Sequence, residues 1–111
     1  MPAHRVVRAT VTRTTAGSTT IFDVSALGGA GSQLSLKTLV VGISVFAANG
    51  QVEITDGTTT YFAWEAITTG GGQPPCVNIP DGYPWGTNKD MILTCTGTIE
   101  VHVVAVAELR I

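Results

Sequence analysis

The sequence predicts an all-β protein, a jelly-roll-like β-sandwich of about eight short antiparallel strands. Three observations predict the all-β sandwich or barrel, without its strand order. Apolar and polar residues alternate over short segments, and Gly, Pro, Asn and Asp separate those segments. The clearest segment, Thr98 to Leu109, puts Ile99, Val101, Val103, Ala105, Ala107 and Leu109 on one face and Glu100, His102 and Glu108 on the other, as a half-buried strand requires. Charged residues make up only 13% of the chain, against roughly 25% in ordinary soluble domains. Thr, Ser and Gly fill the gap, and they suit strands and turns.

Each element follows from its local pattern. Arg5 to Thr14 alternates, with Val7, Ala9 and Val11 on one face and Arg8, Thr10 and Thr12 on the other. Thr15 to Ser18 turns around Ala-Gly, and Thr19 to Val24 is a short second strand. Ser25 to Ser32 holds three glycines and reads as a loop. Leu34 to Ala47 is apolar with little alternation, which suits a central strand covered on both faces or a strand at a subunit contact. Gly42 and its β-branched neighbours argue against a helix there.

Asn49-Gly50 supplies the positive φ values of a type I′ hairpin, and Asp56-Gly57 repeats the signal. Gln51 to Thr55 and Thr58 to Ile67 are then return strands, so that Thr38 to Ile67 reads as a three-stranded meander. On the last of these strands Thr60, Phe62 and Trp64 share a face, with Trp64 in the core. Thr68 to Pro75 is a loop ending in an extended Pro pair. Cys76 to Ile79 is a short strand, and Pro80 to Asp90 a second long loop. Met91 to Thr96 and Thr98 to Leu109 complete the set. A chain of 111 residues makes one domain, 1–111, in which residues 1–4 read as an N-terminal arm.

Composition narrows the function. With a net charge of -2 and no basic groove, the chain lacks the footprint of a nucleic-acid binder. No segment approaches the roughly 18 apolar residues of a membrane span, and the start lacks the apolar stretch of a signal peptide. Synthesis in a cytosol is the expectation. There Cys76 and Cys95 stay buried thiols rather than a disulfide, which remains possible if their strands are neighbours.

No reactive set is visible, so the expectation is no enzyme, no metal and no cofactor. His4 and His102 have no partner at metal-ligand spacing, and no GxSxG nucleophile motif occurs. The carboxylates Asp23, Glu53, Asp56, Glu65, Asp81, Asp90, Glu100 and Glu108 are spread singly, and Asp56 and Asp81 each precede a turn glycine. Gly70, Gly71 and Gly72 precede Pro-Pro instead of the helix and Lys of a phosphate cradle. The candidate partner contacts are Arg5, Arg8 and Arg13 on the first strand and Tyr83 and Trp85 in the Pro-rich loop. The two aromatics either meet a partner or fold back to cap one end of the sandwich.

The stretch from Leu36 to Leu109 resembles the small virion proteins of tailed bacteriophages, the head decoration (cement) proteins and trimeric jelly-roll modules of fibres. The resemblance is one of spacing. An apolar strand, Leu39-Val40-Val41-Gly42-Ile43-Ser44-Val45, leads to Asn-Gly. Val52-Glu53-Ile54-Thr55-Asp56-Gly57 and an aromatic strand follow. After a Gly-Pro loop come Ile79-Pro80 to Trp85, then Asp90-Met91-Ile92-Leu93-Thr94 and Gly97-Thr98-Ile99-Glu100-Val101. It covers about two-thirds of the chain, and no single motif within it is diagnostic. It implies a homotrimer on the capsid surface of a virion, made in the host bacterial cytoplasm, with the major capsid protein as partner. The strand from Leu39 to Phe46 would fill a threefold interface, and the segment with Arg5, Arg8 and Arg13 would lie along the capsid. The alternative it implies is a fibre module recognising a host glycan through Tyr83 and Trp85.

Overall fold

A computed structural model describes residues 4–46, 50–66, 77–96 and 99–111. Its strands are β1 (His4–Arg13), β2 (Gly17–Phe22), β3 (Gln33–Phe46), β4 (Gly50–Thr55), β5 (Thr60–Ala66), β6 (Val77–Pro84), β7 (Met91–Thr96) and β8 (Ile99–Arg110), with one helix, α1 (Val24–Gly28). They build two four-stranded antiparallel sheets, β1-β8-β3-β6 and β2-β7-β4-β5. That order is a jelly roll: strands 1 and 8, 2 and 7, 3 and 6, and 4 and 5 pair like nested turns of one folded ribbon. The all-β sandwich read from the alternation is therefore the observed architecture. β3 at 14 residues and β8 at 12 have the lengths read from Leu34 to Ala47 and from Thr98 to Leu109, each shifted by one residue.

The core lies between the sheets and follows the predicted faces. Val101, Val103, Ala105, Ala107 and Leu109 of β8 are fully buried. They meet Leu34, Leu36, Leu39 and Val41 of β3, Met91, Leu93 and Cys95 of β7, and Val52 and Ile54 of β4. Alternation is hidden in β3 because a bulge at Lys37 changes its phase. Even-numbered Leu34 and Leu36 point inward before it, and odd-numbered Leu39 and Val41 after it. The outward face of β3 is left uncovered: Val40 is 39% exposed.

The connections differ from expectation in four places. The three-stranded meander does not form, because β3 and β4 lie in different sheets. β8 takes the edge of β3 that a hairpin would have used, so the long pairing overrides the local Asn49-Gly50 signal. The second signal does close a hairpin, β4–β5, through residues 56–59 rather than a two-residue turn. There the Asp56 carboxylate accepts the N–H groups of Thr58 and Thr59 at 2.8 and 2.7 Å.

The expected loop at 25–32 opens with a single helical turn. Asp23 caps α1 by accepting from Ala26 N–H, and buried Val24 anchors it. Finally, Pro80 to Pro84 is strand rather than loop. β6 is an edge strand, where Pro is tolerated, and it pairs with β3 on both sides of an irregularity that loops out residues 79–82. Gly82 turns that irregularity at φ 82°, and a Cβ there would strike the Ser35 side chain.

The expected arm at residues 1–4 falls mainly on residues 1–3, outside the described residues, while His4 already belongs to β1. Cys76, the glycine run 70–72 and Asn49 also lie outside them. Cys95 is a buried thiol, raised above its ordinary pKa by desolvation, which Arg13 opposes.

Candidate functional site

Among the described residues, no group of three or more His, Cys, Asp or Glu side chains is placed to hold a metal ion. His102 stands on the outward face of β8. Its Nδ1 is 3.1 Å from Thr12 Oγ1 and its Nε2 3.0 Å from Glu100 Oε1. The first contact ties neighbouring strands β1 and β8 together, and the second lies within β8. The structure instead offers three surfaces: an aromatic edge, an arginine edge and an outward sheet face.

The aromatic edge joins β5 to β6. Tyr61 and Trp85 rings lie 4.1 Å apart, with Tyr83 at 5.8 Å from Tyr61 and 5.4 Å from Phe62. Phe62 and Trp64 stack nearly parallel at 6.2 Å, half-buried and facing the core. Of the two fates weighed for the loop aromatics, Trp85 takes the inward one. It is 1% exposed, and its Nε1 donates to Asp90 O at 3.0 Å. Its N–H donates to Leu34 O at 2.9 Å, extending the β3 ladder, and its carbonyl accepts from Gln33 Nε2 at 2.6 Å. Trp85 thus closes one edge of the sandwich and is no surface contact. Tyr83 is 37% exposed and remains a candidate.

The three arginines do not form one cluster, and they do not belong to an arm. β1 pairs with β8 from His4 to Arg13, so all three sit in a sheet. Odd positions face inward, which puts Arg5 and Arg13 at the two ends of the inner face and Arg8 on the outer one. Arg13 bridges the sheets: Nη1 donates to Ser18 O (3.1 Å) and Thr19 Oγ1 (2.7 Å), and Nη2 to Ala16 O (2.8 Å). Gly17 makes room, since a Cβ there would meet the guanidinium. Arg5 Nη2 donates to Leu27 O at 2.7 Å. Arg8 is exposed and has no partner among the described residues.

Between those two bridges the sandwich is open. A groove of about 460 Å³ runs along β1, β2 and α1, floored by Val7, Ala9, Ile21, Phe22 and Leu27. β1 and β2 are the edge strands of their sheets, each paired on one side only among the described residues.

On the outward face of β1-β8-β3, the sequence points only to the apolar β3 run as a subunit contact and does not single out β1 or β8. In register across this face stand Thr10, Val104 and Val40, then Arg8, Val106 and Thr38. Val6 is 69% exposed and Val104 37%. The signal was present: outward positions 104 and 106 of the last strand are Val where its ends carry Glu and His. Apart from Arg8 on the β1 edge, the charge lies towards the ends, with Lys37 3.9 Å from Glu108 at one and Glu100 beside His102 at the other. An apolar strip with a polar rim is the usual build of a protein contact surface. No family model, curated protein or solved structure matches the chain.

Proposed function

We propose that this protein is a structural component of a bacteriophage virion. It decorates the head as a trimer and acts as a cement on the major capsid protein. The observation that carries the reading is the uncovered sheet face with Val6, Val40 and Val104 exposed and Val106 between them. Of the two roles open to the apolar β3 run, cover on both faces or a subunit contact, the second accounts for its exposed side. The jelly-roll order and the resemblance in strand spacing support the same reading.

The mechanism is adhesion. A protein that binds only the closed joint between capsid subunits stabilises that joint by mass action. Three linked copies add effective concentration, so weak single contacts hold together. Light scattering at micromolar concentration tests the assembly, with an expected mass three times the 11.5 kDa chain. Val104→Asp is expected to give monomers with unchanged β-sheet circular dichroism. Co-sedimentation with capsid shells tests the partner. A monomeric wild type that stays in the supernatant while the shells pellet removes the reading.

The exposure of Tyr83 at the aromatic edge favours a second reading, a fibre module holding a host-surface glycan through ring stacking. Binding of labelled protein to host cells, lost in Tyr83→Ala, would select it.

A further inference from the structure

The open β1 edge has the features of a strand-addition site. No proline, no bulge and no covering element among the described residues interrupts residues 6–12, which leaves charge as the edge's only device against pairing. The inward charges Arg5 and Arg13 are drawn aside to Leu27 and to the β1–β2 turn. What they leave between them is an apolar trough with Val7 and Ala9 on one wall and buried Ile21 and Phe22 on the other.

A strand laid beside β1 would send alternate side chains into that trough and the rest onto the outer sheet face. Its outward residues would sit opposite Val6, Arg8 and Thr10. Directly opposed residues lie about 4.5–5.5 Å apart, close enough for charge to select a partner.

Arg8 is exposed in the middle of this row and has no partner among the described residues. The carboxylate lining the groove, Asp23, is turned to its own helix cap, accepting from Ser25 Oγ at 2.8 Å and Ala26 N–H at 3.2 Å. Glu108, diagonal to Arg8 on the outward face of β8, lies 3.9 Å from Lys37. The edge therefore presents Arg8 as an exposed positive charge.

We infer that β1 accepts an extended segment of another protein, apolar at the inward positions and carrying a carboxylate opposite Arg8. This assignment does not depend on the trimer or on the capsid.

The probe is a capped, fluorophore-labelled peptide, Val-Thr-Val-Glu-Leu-Thr, with a second peptide bearing Lys in place of Glu. Fluorescence anisotropy with the whole protein at low salt is expected to saturate at micromolar concentrations with the Glu peptide. The Lys peptide is expected to bind at least tenfold more weakly. Arg8→Glu, checked for fold by circular dichroism, is expected to reverse that order. Hydrogen exchange is expected to show the edge-facing β1 amides, the alternate ones not bonded to β8, protected only when the Glu peptide is present. The proposal is overturned if neither peptide saturates, if Arg8→Glu leaves the order unchanged, or if protection appears on β5 or β6 instead. Edge-facing β1 amides already protected without peptide also overturn it, because a second copy then holds the edge.

Discussion

Trp85 is held by its backbone as well as its ring. The chain around it reads as a loop, with Pro84 before it and Gly86 after it. Its burial comes from partners far away in sequence: Leu34 takes its N–H, and Tyr61 covers its ring. Trp85→Ala is expected to cost about 3–5 kcal/mol in urea unfolding, the range for emptying a large aromatic site. Trp85→Phe fills most of the space and loses the bond to Asp90 O, so its cost should be smaller. Equal stability of the alanine variant would contradict the packing described.

Asp56 supplies a pH dependence. Its carboxyl is held below the ordinary value of 3.8, first by the Thr59 N–H and then by that of Thr58, with the Tyr61 hydroxyl adding and desolvation opposing. A carboxyl depressed in the fold stabilises it above the unfolded pKa, and that stability is lost as pH falls through the folded value. Urea midpoints are expected to fall from about pH 4 downward, modestly because the group is near the surface. Asp56→Asn should flatten this slope only in part, since Asp23 is lowered too, by Ser25 and Ala26.

At the scale of elements, what alternates was legible and what bends was not. β1, β4, β7 and β8 announce themselves because each keeps one alternating face towards the core, as the burial of Met91, Leu93 and Cys95 shows. β3 conceals its faces behind the bulge at Lys37. β6 reads as a loop because Pro80, Gly82 and Pro84 are the residues of turns. An edge strand accepts them where a central strand would not. The candidate surfaces split the same way. Arg5, Arg8 and Arg13 are conspicuous as residues. That Arg13 bridges the sheets and Arg5 reaches α1 while Arg8 faces solvent depends on strand parity plus the position of the elements opposite. Removing a bridge tests this. Arg13→Ala is expected to cost about 1–3 kcal/mol through the lost charged hydrogen bonds to Ser18, Thr19 and Ala16. Thermal melts of the variant would show it, and an unshifted midpoint would mean the bridge holds nothing.

For the molecule as a whole, strand count was readable and strand order was not. Order is decided by which edges meet, and the Asn-Gly signal between β3 and β4 points to the wrong neighbour. Most pairings here are distant, β1 with β8 above all, so folding is expected to be slow for a chain of this size. The same nesting has a further consequence. His4 stands opposite Arg110, so the first and last strands finish side by side at one pole, and the 56–59 turn joins β4 to β5 as the innermost pair. A linker of about four residues is enough to close the backbone into a ring. Opened within residues 57–59, that ring keeps every sheet contact and merely exchanges the innermost pair for the outermost. The backbone is thus topologically close to a circle, and such a circular permutant is expected to melt cooperatively with Trp85 still shielded from a fluorescence quencher.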